Sequence, residues 1–180
     1  MPSISKRTLR HRGFTLIELL IAVAILVIIM VVAVPSMQSF IEDSKQRVTR
    51  DLLASSLNVA QQEAIRNNLS TYVCPTSSGT SCASAWGGNT GWLVYLDEHR
   101  DGSLSDANQI IVSYPSPKSA KLQYTPTSSN SVLLRFFPSG HALAGIFTIC
   151  SPSAAFEDQR IELTRMGRIE YASPSTSYCP

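Results

Sequence analysis

The chain has 180 residues, of which 44% are hydrophobic, and a formal net charge of +2, so it has room for one domain plus an accessory segment. The charge is divided unevenly, since residues 1–13 carry four basic residues and no acid, whereas the remainder carries 11 basic and 13 acidic residues. This balance excludes a nucleic-acid partner recognised through bulk positive charge, and any basic surface has to be local.

The N-terminal segment joins this basic leader, residues 1–13, to a long apolar run. No polar side chain occurs among the sixteen residues from Leu19 to Val34. Extended back to Phe14, the run predicts a helix of about 31 Å, roughly the thickness of a bilayer core. A cleavable secretory signal has a shorter apolar core and a small-residue cleavage site, which "VVAVPSMQ" does not offer. We therefore predict one membrane-spanning helix at 14–34, with the leader in the cytoplasm and the rest of the chain across the membrane.

A glutamate near the start of this run, Glu18, is not explained by anchoring alone. A charged side chain at the centre of a membrane costs about 2.5–3.5 kcal/mol, less near an end, and usually has a partner. In a lone helix Glu18 could extend to the lipid headgroups. In an assembly of parallel helices it could instead meet the amino group at the start of a neighbouring chain, which requires a cut between Gly13 and Phe14.

The stretch "RGFTLIELLIAVAILVIIMVVAVP" resembles the class III leader and N-terminal helix of type IV pilins and type II secretion pseudopilins. In that family a prepilin peptidase of the inner membrane cleaves after the glycine and N-methylates the new N-terminal residue. The resemblance thus implies cleavage after Gly13 and methylation of Phe14. It also implies that Glu18 pairs with the N-terminus of a neighbouring subunit, which is physically reasonable because a methylated amine keeps its charge and still donates to a carboxylate.

A change of pattern follows the apolar run. Pro35 interrupts the helical hydrogen-bond ladder and predicts a kink. Residues 35–69 predict an amphipathic helix on the periplasmic side. Its apolar positions are expected to pack on the chain's own domain, and they form a stripe of Ile41, Val48 and Leu52 that is continued one step over by Leu53, Leu57, Ala60 and Ala64.

The region 70–180 has the composition of an antiparallel β domain. Eight apolar runs, separated by Gly, Pro, Ser and Asn clusters, predict strands at 71–74, 91–97, 108–114, 121–125, 131–137, 145–150, 159–164 and 167–171. The last two runs predict a hairpin. "WLVYLDEHRDGSLSDANQII", "FFPSGHALAGIFTIC" and "RIELTRMGRIEY" are similar to the GspH/FimT-type domain of minor pilins and the H pseudopilin. The predicted fold class is α+β, a pilin-like long helix packed on antiparallel sheet.

Four cysteines lie on the predicted periplasmic side, where disulfides persist. They permit three pairings. We favour Cys74–Cys82, which closes a Ser/Thr-rich loop, and Cys150–Cys179, which ties the tail to the sheet, and FimU-like minor pilins also suggest a disulfide-tied tail. Zinc is the rival interpretation, but no C-x-x-C pair exists and histidine is scarce, so we predict no metal and no cofactor.

Catalytic signatures are absent from the sequence, which contains no G-x-S-x-G, H-E-x-x-H, S-x-x-K or phosphate-binding glycine loop. The segment 97–108 has partial calcium-loop spacing, but Asn108 stands where a bidentate glutamate belongs and His99 stands where Asp or Asn belongs. An Asp-Gly turn between two strands explains it more simply. We predict that the protein is not an enzyme.

A possible DNA contact lies in the last predicted hairpin. The FimT-type pilins involved in DNA uptake carry a G-R-x-R motif, to which Gly167 and Arg168 correspond here. Glu170 stands where the second arginine belongs, so Arg165 and Arg168 are left with little net positive charge around them.

The sequence therefore predicts a minor pilin or pseudopilin that joins an inner-membrane tip complex and primes type IV pilus assembly. Two alternatives stay open: a DNA-binding minor pilin for natural transformation, and the H pseudopilin of type II secretion. The expected partners are the prepilin peptidase, other pilins or pseudopilins, the inner membrane and, under the first alternative, DNA. The expected location is the inner membrane, single-pass with a periplasmic C-terminal domain, and the tip of the pilus or pseudopilus.

Overall fold

The computed structural model describes residues 14–88, 90–115, 121–127, 131–151 and 157–175. Its contacts divide the chain into two units, Met1–Ser39 and Phe40–Pro180.

One long helix, α1, runs from Leu16 to Asn67 and contains 52 residues. Its first part belongs to the first unit and the remainder to the second. The helical assignment continues through Pro35, so the two helices expected from the sequence form one element, and the kink at Pro35 stays a prediction. Among the described residues, no helix has a stretch of the length and apolarity needed to cross a membrane.

In the part of the chain that the structure describes, eight antiparallel strands follow α1 and form two four-stranded sheets. Sheet A has the order β3-β2-β1-β5, and sheet B has the order β4-β6-β7-β8. A 3₁₀ turn at Ala107–Gln109 precedes β3. The strands are β1 Thr71–Thr76, β2 Gly91–Leu96, β3 Ile110–Tyr114, β4 Lys121–Pro126, β5 Leu134–Phe136, β6 Gly145–Cys150, β7 Asp158–Leu163 and β8 Ile169–Ser175. The α+β fold class is therefore confirmed.

Among the described residues, five apolar residues of α1 lie in the main core, with Leu53, Leu57, Ala60 and Ala64 fully buried and Ala54 4% exposed. The same core takes side chains from both sheets, including Val73, Trp92, Leu134, Phe136, Phe147 and Ile161. Hydrogen bonds between α1 and each of the two sheets reinforce this contact. The Trp92 indole N–H donates to Ser56 Oγ at 2.9 Å, and the Arg50 guanidinium donates to Gln159 Oε1 at 2.9 Å.

The first part of the predicted stripe is not in that core, and the expectation that it packs on the domain was wrong. Ile41 is 41% exposed, Val48 58% and Leu52 36%. Successive residues of a helix are rotated by about 100°, because one turn takes 3.6 residues. A line through Ile41, Val48 and Leu52 therefore faces away from the line that begins at Leu53, and only the second line meets the sheets.

The disulfide between Cys74 and Cys82 closes a loop beside sheet A, and it is the pairing that the sequence favoured. The loop is also held by hydrogen bonds, since Thr76 Oγ1 donates to the Ser81 carbonyl oxygen at 2.7 Å and accepts from the Gly79 N–H at 2.9 Å. Cys150 is disulfide-bonded as well. Its predicted partner, Cys179, lies outside the described residues.

The loop after β2 is organised by Asp97, whose side chain is buried. Its two carboxylate oxygens accept hydrogen bonds from the backbone N–H groups of Asp101, at 3.1 Å, and Gly102, at 3.2 Å. These bonds explain the Asp-Gly turn without an ion. Within the part of the chain that the structure describes, no group of three His, Cys, Asp or Glu side chains could hold a metal.

Candidate assembly site

The start of α1 is capped by a residue that the sequence analysis did not single out. The Glu18 backbone N–H donates to Thr15 Oγ1 at 3.3 Å, and the Leu19 N–H donates to the Thr15 carbonyl oxygen at 3.2 Å. Thr15 is thus the N-cap and Glu18 the third residue of the helix, in the T-x-x-E spacing of a capping box. That spacing was the signal that could have identified Thr15.

Glu18 lies in the first turn of α1, where the helix macrodipole favours a negative charge. Its side chain is exposed, and among the described residues it forms no ion pair. The carboxylate therefore stabilises the helix N-terminus and is free to accept a further donor. The cleavage residue Gly13 lies outside the described residues, while Phe14, the first described residue, is 82% exposed.

The helical surface around Glu18 is apolar and uncovered. Every large hydrophobic side chain from Phe14 to Val31 is between 52% and 82% exposed. Apolar surface of this extent marks a site of contact with a membrane or with other proteins. The first unit therefore consists of a helical surface that needs an external partner, with one carboxylate at its start.

The β7–β8 hairpin holds the arginines of the possible DNA contact. Arg165 and Arg168 are both exposed at its turn. The Arg168 guanidinium, just before β8, forms an ion pair with Glu170 in β8, which lowers the positive charge that the hairpin presents. The structure thus brings the two arginines to one surface, and Glu170 offsets one of them.

Gly167 has a structural reason to be glycine, independent of any motif. Its φ is +75°, a conformation that L side chains rarely adopt. A Cβ atom there would lie 2.2 Å from Gln61 Nε2 and 2.4 Å from the Gly140 carbonyl oxygen. The same Gln61 Nε2 donates to Gly140 O at 2.8 Å, so the hairpin turn packs directly on α1 at this point.

Comparison with known proteins agrees with these features. The family model of the type II transport protein GspH matches residues 49–167. The chain belongs to the GspH family. The model of the prokaryotic N-terminal methylation motif matches residues 8–34, the segment that contains Gly13, Phe14 and Glu18.

Two solved structures share the fold of this GspH-family chain. The type IV minor pilin FimU of Pseudomonas aeruginosa superposes with a TM-score of 0.52 at 16% identity, covering 78% of this chain and 96% of FimU. The minor pseudopilin EpsH of the Vibrio cholerae type 2 secretion system gives 0.53 at 11% identity, covering 72% and 97%. Comparison with curated protein sequences finds no match.

Membership in the GspH family gives the general role. The chain is a minor pilin or pseudopilin of a type IV pilus or a type II secretion system, a structural protein and not an enzyme. Such proteins are anchored in the membrane through the N-terminal region and carry a soluble C-terminal domain. The methylation motif implies processing by a prepilin peptidase, and the family implies other pilins as partners.

Proposed function

We propose that this chain is a minor pilin of the inner-membrane tip complex that primes type IV pilus assembly. The single observation that supports this most is the exposed Glu18 carboxylate, unpaired within the described residues, in the first turn of an otherwise apolar and uncovered helix. Thr15 already caps the helix N-terminus, and a charged side chain within a membrane is costly and usually has a partner.

The proposed order of events begins with removal of the leader, residues 1–13, by cleavage after Gly13. The new Phe14 amine is methylated and keeps its positive charge. In the assembled tip complex, the Glu18 carboxylate of one subunit accepts a charge-assisted hydrogen bond from the Phe14 amine of the next, and the apolar helical surfaces around this pair pack together.

The proposed segments follow the same order. Residues 14–34 span the inner membrane once, 35–69 form the periplasmic part of the helix with Pro35 at its start, and 70–180 form the β domain in the periplasm. A Cys150–Cys179 bridge ties the tail of that domain. At the filament tip the domain caps the assembly or presents a surface.

The decisive experiment replaces Glu18. Glu18→Ala is expected to fractionate with the inner membrane at the wild-type level but to be lost from sheared pili and from tip complexes. Glu42→Ala is the matched control, because Glu42 lies on the same helix in an exposed ion pair with Lys45, and such pairs contribute little. Wild-type incorporation of Glu18→Ala would contradict the proposed pairing. Intact mass checks the processing, since the mature protein should begin at Phe14 and carry one methyl group.

The H pseudopilin of type II secretion is the alternative with the same physical basis. EpsH, the pseudopilin of that system in Vibrio cholerae, shares the fold, so architecture does not separate the two. Deletion of the gene does separate them. Loss of surface pili with normal export of secreted enzymes supports the pilus, and the reverse result supports secretion.

DNA contact through Arg165 and Arg168 is the third interpretation, and it has less support because Glu170 offsets Arg168. We expect the full chain in detergent to bind duplex DNA weakly, without sequence preference and with strong salt dependence. Glu170→Arg should tighten binding and Arg168→Ala should weaken it in a gel-shift titration at two salt concentrations. Tight wild-type binding that Arg168→Ala leaves unchanged would place the contact elsewhere.

A further inference from the structure

A polar pocket of about 530 Å³ lies in the second unit, where α1 ends and β1 begins. Its walls include Ser70, Tyr72, Asp97, Arg100 and Arg135. The part of α1 that belongs to this unit starts at Phe40 and would extend over about 40 Å to Asn67 at 1.5 Å per residue. The pocket is therefore at the end of the unit opposite to the point where the chain leaves for the N-terminal segment.

The pocket wall contains a half-buried arginine without a counter-ion. Arg135 Nε and Nη2 both donate to Ser70 Oγ, at 3.1 Å and 2.8 Å. The guanidinium carbon lies 5.5 Å from the centroid of the Tyr72 ring and 4.5 Å from that of Phe137. In the described residues Arg135 forms no ion pair with a carboxylate, and its direct contacts are a hydroxyl and two aromatic faces.

Two carboxylates, Asp97 and Asp101, also line the pocket, and both accept hydrogen bonds from the loop after β2. Both oxygens of Asp97 accept backbone N–H groups, and Asp101 accepts the N–H of Ser103 at 2.8 Å. The pKa of the Tyr72 hydroxyl is raised, chiefly by burial. The positive charge of Arg135 opposes this rise, and the negative charges of Asp97 and Asp101 add to it. Neither carboxylate forms an ion pair with the Arg135 guanidinium in the described residues.

The free side of Arg135 has the shape that a carboxylate recognises. Ser70 occupies the Nε–Nη2 edge of the guanidinium, which leaves the Nη1–Nη2 edge without a partner among the described residues. Two parallel N–H groups on one edge bind the two oxygens of a carboxylate in the bidentate arrangement that arginine favours. The side chain is already held by Ser70 and the two rings, so little conformational freedom is lost on binding.

We propose that this pocket, the Arg135 pocket, receives an acidic side chain of the neighbouring pilin subunit that stacks on this end of the domain. The proposal rests on the assembly role given above and names the chemistry of one of its contacts. A single carboxylate suits the pocket better than a polyanion, because Asp97 and Asp101, which also line it, repel extended negative charge. Arg100, also in the wall, adds a second positive charge for the approaching acid.

A binding measurement with small probes tests the chemistry. The full chain in detergent is titrated with N-acetylglutamate, N-acetylglutamine and inorganic phosphate, with the nitrogen-bound protons of arginine side chains followed by NMR. N-acetylglutamate should shift the Arg135 signals, and Arg135→Gln should weaken its binding at least tenfold. Arg66→Gln is the control, because Arg66 is exposed and already paired with Glu63. Equal binding of N-acetylglutamine, or tighter binding of phosphate, would overturn the assignment to a carboxylate.

An experiment in the producing cells tests the partner. A photo-crosslinking residue at Arg100 should capture another pilin subunit at a peptide containing Asp or Glu, identified by mass spectrometry, and Arg135→Glu in the same chain should abolish the product. Arg135→Lys keeps the positive charge without the two parallel N–H groups and should retain part of the crosslinked product. This variant separates misfolding from lost recognition. If Arg135→Gln assembles and crosslinks normally while Glu18→Ala does not assemble, the pocket proposal fails and the pilin role stands. Normal assembly of Glu18→Ala would count against the pilin role instead.

Discussion

Gly167 illustrates how the packing of one residue supports a whole turn. Its positive φ and the missing Cβ let the β7–β8 turn approach Gln61 of α1 and the Gly140 carbonyl oxygen. No flexible surface group could move aside on the Gly140 side, because the atom in the way belongs to the backbone. The turn, the loop before β6 and the helix are thus joined at a point where any side chain would collide.

We expect Gly167→Ala to lower the free energy of unfolding by about 1–3 kcal/mol, since it adds a steric clash to an unfavourable backbone conformation. Gly88→Ala is the matched control. Gly88 also has a positive φ, +60°, but a Cβ there would meet nothing within 4 Å, so it reports the backbone cost alone. Urea unfolding followed by circular dichroism measures both, and equal losses would show that the clash is relieved by local movement.

Tyr124 gives the domain a sensitivity to alkaline pH. Burial raises the pKa of its phenol to about 12, from an ordinary value of 10.0, because the core between Trp86 and Phe147 disfavours the phenolate. A raised pKa means that the phenol keeps its proton up to a higher pH in the folded state than in the unfolded state. The stabilisation is fully present below about pH 10 and is lost as the pH rises towards about 12.

Tyr124→Phe tests this dependence, because it keeps the ring and removes the titrating group. The variant should match the wild type in unfolding midpoint at pH 8 and exceed it at pH 11. Burial also raises the pKa values of Tyr72 and Tyr95, so the variant keeps a smaller alkaline loss of its own. Parallel curves for the two proteins from pH 8 to pH 11 would contradict the role given to Tyr124.

At the scale of single elements, the Cys74–Cys82 loop combines a covalent bond with a small apolar cluster. Cys74 is fully buried with Leu93 and Tyr95 on the side of sheet A that this loop covers. Cys82 packs against the same cluster. The bond therefore holds a polar loop over apolar side chains that would otherwise be exposed to water.

Removal of this disulfide by the double substitution Cys74→Ala and Cys82→Ala should cost about 2–3 kcal/mol, as the chain-entropy model gives for a loop this short. The loop should keep its turn through the Thr76 hydrogen bonds. Ser78→Ala in the same loop is the control and should change stability by less than about 0.5 kcal/mol. Thermal unfolding compares the three proteins, and a double variant as stable as the control would show that the hydrogen bonds hold the loop unaided.

The elements also show what sequence reasoning can predict. All eight strands were predicted within a few residues, because each is a short apolar run bounded by turn residues, and the β7–β8 hairpin followed from its short connection. The division into two sheets was not predicted, because the pairing of β1 with β5 and of β4 with β6 joins strands distant in sequence. Periodicity alone carries no information about such partners.

The candidate site was predictable to a different extent. Glu18 was found because a charge stands out in an apolar run, where it is costly and usually has a partner. Arg135 was missed, because a lone arginine in a strand has no signal in sequence, and its meaning comes from Ser70 and Tyr72, which only the fold brings beside it. The exposure of Ile41 and Val48 was missed because both lines of the helix are apolar. They differ only by a shift of one residue along the sequence, which turns the first line away from the sheets.

The molecule as a whole separates an apolar helical segment from a self-contained domain. Of the residues whose burial the structure describes, none before Leu53 belongs to the main core. The large apolar side chains between Phe14 and Val31 are all exposed. Stability of the domain and contact with partners are thus assigned to different stretches of the same chain.

A chain that starts at Phe40 should therefore unfold at the same temperature as the full protein and stay in solution without detergent. A chain that starts at Ser55 is the matched control. It lacks Leu53 and Ala54, and the loss of the buried leucine alone should remove about 2–5 kcal/mol. Differential scanning calorimetry measures both. A large loss already at the Phe40 truncation would show that the N-terminal segment contributes to the fold.

The bond between Arg50 and Gln159 joins residues 109 positions apart, and this separation sets an order in time. The apolar line of α1 is complete early in the chain, whereas β7 and β8, which help to cover it, come last. Contacts of such long range close late in folding. During the proposed delivery across the inner membrane, the apolar line of α1 would therefore stay unshielded until β7 and β8 emerge. We expect the domain to close only when the C-terminus is released, and not when the helix arrives.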